Sequence, residues 1–196
     1  LGVRATMEDN GIRVSLMDRQ DILGYKQFTV NDSNYVFLGN NRRVQADLRL
    51  NSAEGTGLML TTNNANTEAL QDITLSLNQL NLEKLFAILP YMPEVSGTLN
   101  GDFHAIQTKD ALSVSSAVSV SNLNYQKSAM GNISSEFVYM PKQDGGHYVD
   151  GTLSKDDVQF GHLSGTYNPA RGGNLDAELV VERLPLSIVN GFIPQR

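Results

Sequence analysis

The chain has 196 residues, 40% apolar and 18% charged, with 15 Lys+Arg against 21 Asp+Glu and a net charge of −6. An acidic chain lacks the basic face that releases phosphate counterions, which excludes nucleic acid as the expected partner. The apolar content excludes a disordered chain, and the absence of cysteine excludes disulfides, thiolate nucleophiles and Cys-ligated zinc.

The longest apolar run, Leu85-Phe86-Ala87-Ile88-Leu89, falls far short of the roughly 20 residues that span a bilayer. Leu1-Gly2-Val3-Arg4 has no apolar h-region of a signal peptide. The sequence opens on Leu1 and stops just after a motif, so it reads as a piece of a longer protein.

In chain order, alternation of apolar and polar residues dominates, which is the strand period. Ile12, Val14 and Leu16 alternate with Arg13 and Ser15; Val44, Ala46, Leu48 and Leu50 with Gln45, Asp47 and Arg49. Ile73, Leu75 and Leu77 alternate with Thr74 and Ser76. Val95, Leu99, Phe103 and Ala105 share one parity with Gly97 and Gly101. Val114 and Val118 oppose Ser113, Ser115 and Ser119. Ile133, Phe137 and Tyr139 share a parity, as do Leu175, Ala177, Leu179 and Val181. Each strand thus has one dry and one wet face, the pattern of antiparallel sheet solvated on one side. Turn chemistry separates the strands at Asn40-Asn41, Ser52–Gly55, Asn63–Asn66, Asp144–Gly146 and Arg171–Asn174. The spacing predicts an antiparallel meander of roughly twelve strands.

Two segments break this rhythm. Residues 81–89 read as a short helix, with Asn81 as N-cap, Leu82, Leu85, Phe86 and Leu89 on one stripe, and Pro90 as the stop. Residues 185–193 read likewise, with Pro185 at the first helical position. A shift of 104 positions overlays 72–90 on 176–194, matching Asp72, Leu75, Leu80, Leu82 and Pro90 with Asp176, Leu179, Leu184, Leu186 and Pro194. Repetition of one strand-to-helix unit points to a chain built by stacking, with a first β repeat over 1–90 and a second over 91–196.

Leu80-Asn81-Leu82, the apolar helix, Pro90 and then Val95-Ser96-Gly97-Thr98-Leu99-Asn100-Gly101 resemble the repeats of the TamB and AsmA-like envelope proteins of Gram-negative bacteria. Leu184-Pro185-Leu186 through Pro194 is similar to the same signature. Asn81 stands where the family usually has proline. The resemblance implies a mainly β fold, a long curved trough-like sheet (β-taco) with an apolar inner face and two short helices. It implies a non-enzymatic role in phospholipid transport and outer-membrane biogenesis, without catalytic residues or cofactors. The parent would be anchored in the inner membrane outside this piece and span the periplasm. Its expected partners are phospholipid or another apolar chain, and outer-membrane assembly proteins.

The in-phase residues Leu75, Leu77, Leu99, Phe103, Val114, Val118, Phe137 and Leu179 are the expected lipid-groove lining. Gly97 and Gly101, on the same parity, are expected to keep that track open. The same stripes would also serve a closed β-sandwich, and a secreted or surface sandwich binding glycan or protein is the alternative function. A hydrolase on a β scaffold is the weakest reading.

Residues for chemistry are sparse. His104, His147 and His162 are not spaced as metal ligands and read as solvated strand histidines. Asp156-Asp157 and Asp18…Asp21 read as solvated turns rather than paired catalytic carboxylates. Arg171-Gly172-Gly173 is a single turn, not an RNA-binding tract. Aromatic residues from Tyr25 to Tyr167 are scattered, and without tryptophan a sugar-stacking platform is not expected. An excised trough exposes sheet edges, so self-association through them is expected.

Overall fold

The computed structural model describes residues 2–17, 28–87, 89–169 and 172–193. Asp18, Asp21, Tyr25, Ile88, Arg171 and Pro194 lie outside the described residues, and with them one carboxylate pair and the end of the second helix motif.

The strands are β1 (Val3–Glu8), β2 (Gly11–Leu16), β3 (Phe28–Val30), β4 (Tyr35–Gly39), β5 (Val44–Ser52), β6 (Gly57–Thr62) and β7 (Gln71–Asn81). After α1 (Leu82–Phe86) come β8 (Val95–Gln107), β9 (Leu112–Tyr125), β10 (Ser128–Pro141), β11 (His147–Lys155), β12 (Val158–Asn168) and β13 (Asn174–Val181), then α2 (Leu186–Phe192). All thirteen join one antiparallel sheet in chain order, except that β3 and β4 share the same edge of β5. The fold is mainly β, an open curved sheet. The two expected repeats meet at β7 and β8, and pairing runs across that point, with Leu75 opposite Phe103 and Leu77 opposite Gly101.

The sheet forms no sandwich. Strands that are not neighbours make almost no contact; α1 packs on β7 and β8, and α2 on β10, with Phe192 against Tyr125 of β9 and Ser187 accepting from Lys155 of β11. A compact monomer of 21.4 kDa exposes roughly 9,100 Å², whereas this chain exposes 12997 Å². The one cluster of buried apolar residues among those described is Phe28, Val30 and Leu50, flanked by Leu16, Leu48 and Leu58. It forms because β3 lies beside the far half of β5.

A row of bulges bends the sheet near its helix-bearing end. Pairing slips at Leu77/Leu80 in β7–β8, at Ser96/Thr98 in β8–β9 and around Gly131 in β9–β10. Gln79, Gly97, Asn122 and Gly131 hold φ of 50°, 142°, 52° and 81° there. A bulge frees backbone N–H groups that still require acceptors. Side chains of neighbouring strands and of the turn after β11 supply them. Gln79 N–H donates to Asn100 Oδ1 at 3.0 Å, Asn122 N–H to Asn132 Oδ1 at 3.0 Å, and Asn132 N–H to Asp156 Oδ1 at 3.1 Å. Asp156-Asp157 is a tight turn, as expected, with both residues left-handed, and Gln126-Lys127 is its unforeseen counterpart between β9 and β10.

Asn81 caps α1 as read from sequence, its Oδ1 accepting the Lys84 N–H at 3.0 Å. The helix is shorter than expected and stops at Phe86, which leaves Leu89 outside it and 49% exposed. Pro185 takes the N-cap of α2 and not the first helical position, because its ψ of 128° keeps it extended. Leu82 is 8% exposed, whereas Leu186, its counterpart in the repeat, is 76% exposed. The difference follows from the packing: α1 lies on β8, the strand beyond β7, whereas α2 packs on β10 through other residues, with Ser187 at Lys155 and Phe192 at Tyr125, and leaves Leu186 outside the contact.

Candidate functional site: an unbroken apolar sheet face

Directly opposed residues of adjacent strands share a face, so register carries one face across the whole sheet. One cross-strand row runs Leu48–Leu60–Leu75–Phe103–Ser116–Phe137 and continues through Gly151, Leu163 and Leu179. Beside it run Leu50–Leu58–Leu77–Gly101–Val118, and Leu80–Leu99–Val120–Ile133. Val114 falls on the same face between Ala105 and Tyr139. The register therefore brings all eight sequence-selected residues onto one side. At about 4.8 Å per strand, the nine-strand row extends roughly 38 Å along the sheet. That exceeds the roughly 30 Å hydrocarbon core of a bilayer.

Among the described residues no second sheet covers this face; α2 alone lies over part of it, with Ser187 accepting from Lys155, the residue opposite Ile133, and Phe192 against Tyr125. Its central residues are half-buried by lateral packing alone, and toward the edges Met7, Leu175 and Leu179 are 77%, 66% and 58% exposed. The glycines do not hold a track open as the sequence suggested. Gly97 sits in a bulge, off the regular pleat. Gly101 is buried beneath Phe103: a Cβ added there would lie 3.0 Å from the ring. Added Cβ atoms at Gly151 and Gly161 would meet Phe137 and Leu153 at 3.5 and 3.3 Å. Large side chains thus lie down over small ones and make an apolar floor.

The opposite face is polar. A shallow hollow of about 540 Å³ crosses β8 to β12 there, lined by Asn100, Asp102, Ser119, Ser134, Glu136 and Thr152 among others, with no aromatic ring. Two histidines on this side are clipped to carboxylates rather than merely solvated. His104 Nε2 lies 2.8 Å from Asp72 Oδ1, and His162 Nε2 lies 2.8 Å from Asp150 Oδ2. The hydrogen bond with His104, then the Asn66 amide, holds the Asp72 carboxyl below its ordinary value. The Tyr148 hydroxyl, then His162, does the same for Asp150, and that carboxylate pushes the Tyr148 phenol up. His147 lies on the apolar side, stacked on Tyr139 at 5.1 Å, its Nδ1 buried without a hydrogen-bond partner. Among the described residues no three His, Cys, Asp or Glu side chains converge on a metal position.

The Asp72 clip gives a pH-dependent expectation. A carboxyl whose folded pKa is lowered stabilises the fold above its unfolded value, near 3.8. That contribution is lost as pH falls through the folded value. Asp72→Asn should cost about 1–2 kcal/mol at pH 7, and the penalty should vanish in acid below the folded pKa. Urea unfolding of both proteins at the two pH values checks this; an equal difference at both would refute it.

No described helix is long and apolar enough to cross a membrane. Comparison with known proteins finds no matching family model, no matching curated protein and no matching solved structure.

Proposed function

We propose that this chain is a non-enzymatic element of a periplasm-spanning cell-envelope protein. Its apolar sheet face carries the acyl chains of phospholipid during transport and outer-membrane biogenesis. The observation that carries the reading is the in-phase, largely apolar face, carried from β5 to β13 by strand register and not covered by a second sheet. Each methylene transferred from water to such a surface is worth up to about 0.8 kcal/mol, and a fatty chain has many. A floor of closely packed side chains suits a ligand that slides, since no position along it differs greatly from the next. The sequence resemblance to TamB and AsmA-like repeats supports the same reading. On it, the parent's anchor lies in the inner membrane, and outer-membrane assembly proteins are reached through the parent. A glycan-binding role draws less support, because the polar hollow offers no ring on which a sugar can stack.

The test is native mass spectrometry of the purified chain, followed by lipid extraction. Phospholipid should co-purify with the wild type and be lost from Leu99→Asp, which places a charge in the middle of the apolar face. Circular dichroism should show the variant still folded, because Leu99 is only half-buried. A lipid-free wild type would sink the proposal, as would equal lipid in both proteins.

A further inference from the structure

We propose that Lys155 is the head-group site of the apolar face: its ammonium, with the Ser187 hydroxyl, holds the phosphate of a lipid whose acyl chain lies on that face. This rests on the acyl-chain reading above and adds the class of head group and the place where it sits.

The first observation is a sorting of charge. Among the described residues, every Lys, Arg, Asp or Glu in a strand lies on the polar side except one, with Arg49, Asp102, Glu136 and Asp150 typical of the rest. The exception is Lys155, the last residue of β11. It stands opposite Ile133 of β10 and Val158 of β12, in step with Gly151 and Leu153 of its own strand. A cation at an apolar position gives up packing and still needs water or a counter-charge.

Lys155 has neither in full. Its side chain is 20% exposed, and its carboxylate neighbour is loose. Asp156 Oδ2 lies 3.7 Å away on a side chain that is 55% exposed, and its Oδ1 already accepts the Asn132 N–H. A pair of that kind neutralises little. Asp157, the next residue, lines the hollow on the opposite face. The short contact is to a neutral group: Lys155 Nζ donates to Ser187 Oγ at 2.7 Å. An ammonium has three protons, and a hydroxyl that accepts from it keeps its own to donate. Nζ and Oγ therefore present two adjacent donors to an anion at the margin of the apolar face.

The dimensions of that face agree. Along β11 its apolar side runs from Lys155 to His147, about 26 Å at roughly 3.3 Å per residue. One bilayer leaflet holds about 15 Å of hydrocarbon, half of the roughly 30 Å core. A chain anchored at Lys155 thus ends before the Tyr139, His147 and Tyr167 rings at the far margin. There Lys142 reaches over Tyr148 on the polar side, so that end presents rings in place of a cation. The chain's net charge of −6 repels anions at long range, and a preference for one must come from a local cation.

Isothermal titration calorimetry of the full chain with dodecyl phosphate, dodecanol and inorganic phosphate tests this. The wild type should bind dodecyl phosphate about tenfold more tightly than dodecanol, the worth of one hydrogen bond to a charged group. Lys155→Gln should bind the two with equal affinity. Lys155→Arg should retain the difference, and Ser187→Ala should reduce it about threefold. Lys127→Gln, in an exposed turn at the same end of the sheet, should leave it intact. Each comparison is between two ligands on one protein, so a variant that is merely less stable keeps its ratio. Equal binding of the two amphiphiles by the wild type overturns the head-group site and leaves the acyl-chain reading standing. So does a difference that survives Lys155→Gln, or one that Lys127→Gln abolishes as fully, which would be general charge attraction. Inorganic phosphate bound as tightly as dodecyl phosphate overturns it as well, in favour of a bare anion site. Binding of neither amphiphile overturns both the head-group site and the acyl-chain reading.

Discussion

Replacing Gly97 with alanine is expected to cost about 2–4 kcal/mol, through backbone strain and overpacking together. Gly97 holds a φ of 142°, where a Cβ is strained whatever the surrounding space. The space is absent as well: the added carbon would lie 2.9 Å from Val120 Cγ1 and 3.0 Å from the Ser121 carbonyl oxygen. Val120 is itself part of the apolar face, and Ser121 belongs to the adjacent backbone, so neither yields without disturbing the bulge row. That row continues through Asn122 and the Asn132 amide that satisfies it. The loss is a large share of the roughly 5–15 kcal/mol that holds a domain together. Urea unfolding measures it, and a midpoint indistinguishable from the wild type would disprove the account.

Leu50→Ala is the second large effect, expected at about 2–4 kcal/mol. Leu50 is 8% exposed and packs with Phe28 and Val30, also 5% and 8% exposed, where β3 folds against the far half of β5. Truncation leaves a cavity that its neighbours, held by their own ladder bonds, fill only in part. Leu75→Ala provides the contrast. Leu75 lies on the same face but is only half-buried, and no layer closes over it. Its truncation should cost about half as much or less, since water already reaches the site. Equal losses at the two positions would show a closed core over the central strands and would contradict an open face.

The strand pattern was legible because a one-sided sheet writes a period of two into its sequence. All eight residues chosen for the apolar face lie on it, since parity within a strand is a local property. Asn81 was legible as a cap for the same reason: its side chain reaches only three residues ahead. The glycines were misread because their role depends on neighbours distant in sequence. Whether Gly101 is a gap or a seat for a ring depends on where Phe103 turns. Nor did the sequence indicate that Asn100, Asn132 and Asp156 would serve the bulges. Each accepts from a neighbouring strand, and an Asn within a strand or an Asp in a turn looks like any other polar residue there.

By itself the sequence determined the alternation, the antiparallel class, the turn sites and the repeated strand-to-helix unit, all of which follow from residue type and short spacing. Only the tertiary structure decided that the dry faces would remain one open layer. Two stripes closed on each other and one stripe left open have the same periodicity. What separates them is sheet curvature, set by the bulge row, and the pairing of each strand with its successor from β4 to β13. The tertiary structure also decided the fate of the two helices. Leu82 and Leu186 belong to matching motifs, yet Leu82 is buried where α1 packs on β8, while Leu186 stays exposed although α2 packs on β10.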